Sequence, residues 1–130
     1  MLEIFELADT GDARGSSFGP PPDFFAERFP LGDLHLTTVL PGAVRGNHFH
    51  LERHELLTVL STGPWSLHWD EGEGTAVHTR AFGPGAVLIR VPLRASHAVR
   101  NDGTTPLQVI GMTDGPFDPA RPDAYPRDVV

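Results

Sequence analysis

Three histidines and one glutamate in this chain are spaced in a way that favours a metal site. His48 and His50 are separated by one residue, and on an extended strand such residues point to the same side. Glu55 opens an apolar run shortly afterwards, so a turn between the two segments returns it beside the histidines. With His97 far downstream, three imidazoles and one carboxylate suit a single ion of zinc, iron, nickel, copper or manganese.

His54 is the alternative to Glu55 as the fourth ligand. The two residues are neighbours on one predicted strand, so they point to opposite faces and only one of them enters the interior. Four protein ligands leave two open positions on an octahedral ion, which is what a catalytic or substrate-binding metal requires. We interpret His35, His68 and His78 as surface or hydrogen-bonded residues.

Composition and charge limit the function classes. The chain has 130 residues, enough for one domain, and its formal net charge of −7 argues against a nucleic-acid-binding surface. It has no cysteine, which excludes disulfides and thiolate ligands and fits a reducing compartment. It also lacks an apolar run of about 18 residues and the basic start of a secretory signal. We therefore expect a cytoplasmic protein that binds a small molecule, and neither nucleic acid nor a membrane.

Short alternating segments between turns predict an all-β chain. Fourteen glycines and thirteen prolines imply many turns. Strands are predicted at residues 2–8, 34–40, 44–50, 55–60, 65–70, 75–81, 86–91, 97–100 and 106–112. A single helical turn at 24–28, capped by Asp23, is the one helical prediction. Because closure hides strand edges, a jelly roll or similar barrel fits this pattern.

The predicted domain organisation is one domain over residues 1–130. An N-terminal strand and loop form an arm at 1–30, the barrel core occupies 31–113, and an extended proline-rich arm follows at 114–130. Trp65 and Trp69 are interpreted as core or dimer contacts.

The two histidine segments resemble the two sequence motifs of the cupins. In the first motif, Gly42, His48, His50 and Glu55 fall at the expected spacing, and Gly63 comes one position late. In the second motif, Pro92, His97 and Asn101 fit, whereas Gly85 is one residue too far away and Arg94 replaces a glycine. The resemblance implies an all-β double-stranded β-helix, the jelly-roll barrel of the RmlC-like cupins. It also implies a homodimer and one divalent metal ion (Zn, Fe, Ni or Mn) on His48, His50, Glu55 and His97.

Three shorter elements resemble the sugar-nucleotide branch of the cupins, which contains deoxysugar epimerases, keto-sugar isomerases and capsular-polysaccharide cupins. They are Arg45-Gly46 before the histidine pair, the segment 12–15, and the ending at 117–126. An arginine fork matches a pyrophosphate bidentately. We expect Arg45, Asn47 and Arg94 to bind the substrate.

The resemblance implies sugar or nucleotide-sugar epimerisation or isomerisation. In the sugar epimerases the first motif histidine is the base, which is His48 here, and a tyrosine is the acid. The only tyrosine, Tyr125, lies in the tail, so the acid is not identified. Because a metal occupies the imidazole lone pair, His48 is a base only in a metal-free site. An iron-dependent dioxygenase and a non-catalytic small-molecule-binding cupin are the alternatives.

Overall fold

The computed structural model describes residues 1–130 and consists of strands, turns and loops, which confirms the all-β prediction. The strands are, in chain order, β1 (Glu3–Leu7), β2 (Asp33–Val39), β3 (Val44–Phe49), β4 (Glu55–Ser61), β5 (Trp65–Trp69), β6 (His78–Phe82), β7 (Gly85–Val91), β8 (His97–Asn101), β9 (Leu107–Thr113) and β10 (Tyr125–Pro126). The chain contains no helix long and apolar enough to cross a membrane.

The strands form two five-stranded antiparallel sheets. The first has the order β1-β7-β4-β9-β2 and the second the order β10-β3-β8-β5-β6. From β2 onward the chain repeatedly crosses from one sheet to the other, which is the connection pattern of a jelly roll. The fold prediction is therefore confirmed. The first and last strands pair with β7 and β3. The division into two arms and a core stays a prediction.

The apolar core lies between the inner faces of the two sheets. Its fully buried side chains include Trp65, Leu67, Val59, Ile89 and Leu107. Each contributes roughly 1.5–3 kcal/mol relative to an exposed position. This core fixes how the two sheets face each other. It therefore also fixes the positions of the inward-facing residues at the strand ends.

Three inner-face rows change from apolar to polar along their strands. Each row contains an apolar core residue, namely Val39 on β2, Val59 on β4 and Val99 on β8, and begins with a polar one, namely Asp33, Glu55 and His97 in the same order. The polar ends of strands from both sheets therefore meet at one end of the barrel.

Two local predictions are wrong. Residues 22–25 form turns and not a helical turn, because the φ of 62° at Asp23 is not the extended conformation that an N-cap residue adopts. Phe24 then turns inward and packs edge-on against Phe5 at 5.1 Å. The strand predicted from Thr75 begins at His78, because the Thr75 hydroxyl donates to the Gly72 carbonyl and closes the preceding turn.

Candidate functional site

The four predicted metal ligands converge at the polar end of the barrel. One ligand atom from each of His48, His50, Glu55 and His97 lies within 4.8 Å of the others. His48 is on β3 and His50 is the first residue after that strand. Glu55 and His97 are the first residues of β4 and β8. Both sheets therefore contribute to one four-residue cluster, which we call the His/Glu cluster.

A β-bulge in β3 brings His48 opposite His97. The register shifts between Gly46 and His48, and His48 pairs with His97 on β8, with ring centroids 5.0 Å apart. Gly46 has a φ of 114°, and a Cβ at this position would overlap the His97 carbonyl and come within 2.9 Å of the Ala98 Cα. Only glycine allows this close approach of the two strands.

Replacing Gly46 with alanine should therefore destabilise the domain by about 2–3 kcal/mol, because the new methyl group meets backbone in a left-handed conformation. Chemical denaturation measures the change. Gly42→Ala is the matched control: Gly42 has a φ of 78° but open space where the new methyl group would lie, so it should lose only about 1 kcal/mol. Equal losses in the two variants would contradict a role for the strand contact.

Backbone carbonyls orient two of the imidazoles. The Asp123 carbonyl oxygen lies 2.6 Å from His50 Nδ1, and the Ala95 carbonyl oxygen lies 3.3 Å from His97 Nδ1. A carbonyl only accepts hydrogen bonds, so each contact favours a proton on Nδ1. The lone pair of each Nε2 is then free to bind a metal, as in many metal sites where a carbonyl fixes the ligating histidine.

Two buried polar atoms of the cluster have no hydrogen-bond partner, namely His50 Nε2 and Glu55 Oε1. Glu55 Oε1 is 2.8 Å from His97 Nε2, and Glu55 Oε2 is 3.5 Å from His50 Nε2. The shorter distance lacks hydrogen-bond geometry, so we interpret these atoms as facing a common point and not each other. Unpaired buried polar atoms are costly, and three imidazoles with one carboxylate are a donor set that a divalent metal satisfies.

Without a metal, the cluster holds its groups in different protonation states. Burial and the nearby His97 lower the pKa of His48 to about 4. Burial also opposes the charged form of His50, but the nearby negative charge of Glu55 outweighs it and raises the pKa of His50. Burial would raise the pKa of Glu55, yet the charges of His97 and His50 lower it. His48 is therefore neutral and Glu55 ionised at pH 7.

The metal-free protein should lose stability as the pH falls from about 6.5 toward 4. Between these values the unfolded chain binds a proton at His48 that the folded chain does not, because the unfolded pKa is about 6.5 and the folded pKa about 4. The slope is at most about 1.4 kcal/mol per pH unit, and solvent access to the half-buried ring reduces it. The raised pKa of His50 has the opposite sign, because it adds stability that is lost as pH rises through the folded value.

Urea denaturation in chelator across this pH range tests the prediction. The His48→Gln variant should give a flatter profile, since it removes the group whose protonation differs between the two states. Parallel profiles for the two proteins would show that other groups carry the acid sensitivity.

A cavity of about 550 Å³ opens onto the His/Glu cluster from between the inner sheet faces. Its wall is mixed: Leu57 and Val99 are apolar, whereas Arg45, Arg53 and Asp33 carry charge. This volume and this mixture suit a small, oxygen-rich ligand. A second cavity, of about 420 Å³, is lined by aromatic residues of the 24–29 segment and does not contain the three clustered histidines.

The structure places only some of the predicted substrate-binding residues at the cavity. Arg45 lines it. The Asn47 side chain instead bonds the backbone of Val129 and Val130. Arg94 donates its backbone N–H to the His50 carbonyl at 2.8 Å and does not line the cavity. A substrate contact from Asn47 or Arg94 stays a prediction.

Glu55, and not His54, points into the cluster. His54 Nδ1 lies 2.8 Å from Asp114 Oδ2, and its ring is about half exposed on the other side of the sheet. The opposite orientation of these neighbours follows from strand alternation. His68, interpreted as a surface or hydrogen-bonded residue, is buried and bonded by the hydroxyls of Ser66 and Thr79.

Sequence reasoning missed Arg53, Asp123, Asp33 and His35. Arg53 lines the cavity, with its Nε 3.6 Å from Asp123 Oδ2, and the Asp123 carboxylate accepts three backbone N–H groups of the loop before β4. Asp33 and His35 line the cavity from β2. The only available signal was the resemblance of the 117–126 segment to the capsular ending, which contains Asp123.

Comparison with protein families identifies the chain. Residues 24–125 match the family model described as the polysaccharide biosynthesis C-terminal domain. The chain belongs to this family. The match agrees with the resemblance to the sugar-nucleotide cupins, and a comparison with curated protein sequences gives no match.

Solved structures of three sugar-related proteins share the fold of this family member. The capsular polysaccharide assembling protein CapF of Staphylococcus aureus is 25% identical over 96% of this chain and 33% of its own, with a TM-score of 0.68. A dTDP sugar isomerase of Desulfovibrio desulfuricans is 19% identical over 98% and 84%, with a TM-score of 0.78. A mutant of the 3,4-ketoisomerase QdtA of Thermoanaerobacterium thermosaccharolyticum, in complex with TDP-4-keto-6-deoxyglucose, is 14% identical over 95% and 86%, with a TM-score of 0.70. The chain spans about a third of the CapF length.

Proposed function

We propose that this domain binds one divalent metal ion through His48, His50, Glu55 and His97, and that it epimerises or isomerises a sugar or nucleotide sugar. The observation that carries the proposal is the convergence of three imidazoles and one carboxylate at the wall of a polar cavity. Two of the four groups present buried atoms that have no other partner. Such a donor set is suited to zinc, iron, nickel or manganese.

The cavity wall supports a phosphate-bearing or hydroxyl-rich ligand. Arg45 brings positive charge to the cavity, whereas the guanidinium of Arg53, which also lines it, is held by Asp123 and by the Pro116 and Pro122 carbonyls. Guanidinium groups bind phosphate oxygens bidentately. The isomerase relatives handle sugar nucleotides according to their names, which supports this substrate class.

The proposed chemistry is a proton transfer next to a ketone. When bound, the metal polarises the substrate carbonyl as a Lewis acid. Arg45 binds and orients the substrate, and the buried cluster fixes the position of the carbonyl. The ligating histidines have no free lone pair for the proton, so another residue must accept it.

A homodimer is the proposed assembly. The outer face of the first sheet exposes Leu34, Leu36 and Leu60, with 52%, 75% and 46% of their surface accessible. A group of exposed leucines on one sheet face is typical of a protein–protein contact.

Metal analysis and deuterium exchange test the proposal together. We expect about one metal ion per purified chain, and incorporation of solvent deuterium next to the ketone of TDP-4-keto-6-deoxyglucose in D₂O. Stoichiometric iron with oxygen uptake and no deuterium incorporation would replace the proposal with a dioxygenase. Metal and tight ligand binding with neither reaction would identify a binding module.

A further inference from the structure

A second histidine–carboxylate pair lies in the same cavity, on a different strand from the His/Glu cluster. His35 and Asp33 are both on β2, and both line the cavity. His35 Nδ1 is 2.5 Å from Asp33 Oδ2. Neither residue belongs to the His/Glu cluster.

The sheet register places this pair on the same wall of the cavity as Glu55. Asp33 pairs with Thr113 on β9, and Thr113 pairs with Glu55 on β4, so Asp33 and Glu55 lie in one row two strands apart. Neighbouring strands are separated by about 4.8 Å, which puts the two Cα atoms about 10 Å apart. Thr113 lies between them in this row and also lines the cavity.

The ring of His35 is oriented and accessible. Asp33 Oδ2 occupies the Nδ1 side of the ring at 2.5 Å, which leaves Nε2 as the nitrogen available to a ligand. The His35 side chain is 62% exposed, whereas the rings of His50 and His97 are buried. Phe117 contacts the His35 ring edge-on, with centroids 5.9 Å apart.

The residue next to His35 in its row across the sheet has no side chain. His35 pairs with Gly111 on β9, and Gly111 pairs with Leu57 on β4. Gly111 has no side chain, Leu57 Cδ2 lies 3.6 Å from where its Cβ would be, and all three residues of the row line the cavity. A ligand that reaches the cluster can therefore also lie against His35.

We propose that His35 is the catalytic base of the proton transfer and that Asp33 is its positioning residue. The inference rests on the proposed function. His35 Nε2 takes the proton from the carbon next to the ketone, the C–H bond breaks, and its electron pair forms the C=C bond of an enediolate. The imidazolium then returns the proton to the former carbonyl carbon, while the neighbouring hydroxyl proton moves to the oxygen there.

This single base favours isomerisation over epimerisation. One imidazole on one wall removes and returns the proton on the same face of the sugar, so the keto group moves by one carbon. Inversion at a carbon requires a second proton donor on the opposite face, where His48 and His97 of the facing sheet lie as proposed metal ligands.

The test compares two matched substitutions in the metal-loaded protein. His35→Asn removes the proposed base, and His54→Asn removes a similarly exposed imidazole paired with Asp114 outside this cavity. The probe is TDP-4-keto-6-deoxyglucose in D₂O, with deuterium incorporation, probe affinity and metal content all measured. We expect His35→Asn to lose about 100-fold or more in exchange rate, with metal content and probe affinity within about threefold of wild type. His54→Asn should match wild type.

The possible failures are distinguishable. Exchange at the wild-type rate in His35→Asn would overturn the role of His35 alone, and loss of probe binding in step with exchange would make it a binding residue. A wild-type protein that exchanges no deuterium would overturn the proposed function and this inference with it.

Asp33→Asn has a readout that does not depend on turnover. NMR of ¹⁵N-histidine in the wild-type protein should show the His35 proton on Nδ1, and Asp33→Asn should shift it toward Nε2 and lower the exchange rate about tenfold. An Nε2–H tautomer in the wild-type protein would contradict the proposal.

Discussion

Replacing His50 with alanine should abolish stoichiometric metal binding and lower thermal stability in the same step. His50 contributes one of four donors, and its Nε2 has no partner among protein atoms. A ligand present at 1,000 times its dissociation constant stabilises the folded state by about 4 kcal/mol, and that contribution is lost with the site. Metal content after dialysis and thermal melts with and without chelator measure the two effects.

The chelator separates metal loss from simple damage to the fold. The substitution also leaves the Asp123 carbonyl without its contact to His50 Nδ1, which costs about 1–3 kcal/mol with or without metal. The diagnostic quantity is therefore the chelator-dependent shift in melting temperature, which should be present in wild type and absent in the variant. His54→Ala is the control and should keep both the metal and the shift, because His54 pairs with Asp114 away from the cluster. Unchanged metal content in His50→Ala would contradict the metal site itself.

The cluster could be predicted from sequence because its ligands sit at strand ends within short motifs. His48 and His50 share a face through local alternation, and the turn before Glu55 needs only a few residues. His97 could be predicted as a ligand only from the second motif, since no local sequence pattern links it to the first motif. Alternation left Glu55 and His54 as alternatives, and the position of the core decides between them.

Contacts between distant segments could not be predicted, because they depend on the register of the sheets. In sequence, nothing distinguishes His35 from an ordinary surface residue. Only the register of β2, β9 and β4 places it in the cavity. Asn47 is adjacent to a ligand in sequence, yet the bulge turns its side chain toward Val129 and Val130. The position of Asn47 next to a ligand in the motif therefore did not indicate which residues its side chain contacts in the structure.

Replacing Asp123 with alanine should both destabilise the domain and weaken metal binding. Its carboxylate accepts the backbone N–H groups of Leu51, Glu52 and Arg53 at 2.9, 3.1 and 3.0 Å, and its own carbonyl contacts His50 Nδ1. The loop it holds connects two proposed metal ligands. Three donors left without partners cost about 3 kcal/mol or more, and loosening the groups that orient a ligating histidine typically costs about 10–100-fold in metal affinity. Chemical denaturation and metal titration measure the two effects.

Two companion variants identify the cause of the loss. Asp123→Asn keeps one acceptor oxygen, and asparagine tolerates the φ of 48° at this position, so its effects should be intermediate. Asp118→Ala removes a tail carboxylate whose side chain accepts only from the Ala120 backbone, and it should leave stability and metal affinity unchanged. Burial would raise the pKa of Asp123, but the hydrogen bonds that its carboxylate accepts from the loop lower it. The stability they provide is therefore present above the unfolded pKa of about 3.9 and is lost at lower pH. If Asp123→Ala and Asp118→Ala behaved alike at pH 7, the loop before β4 would not depend on the C-terminal segment.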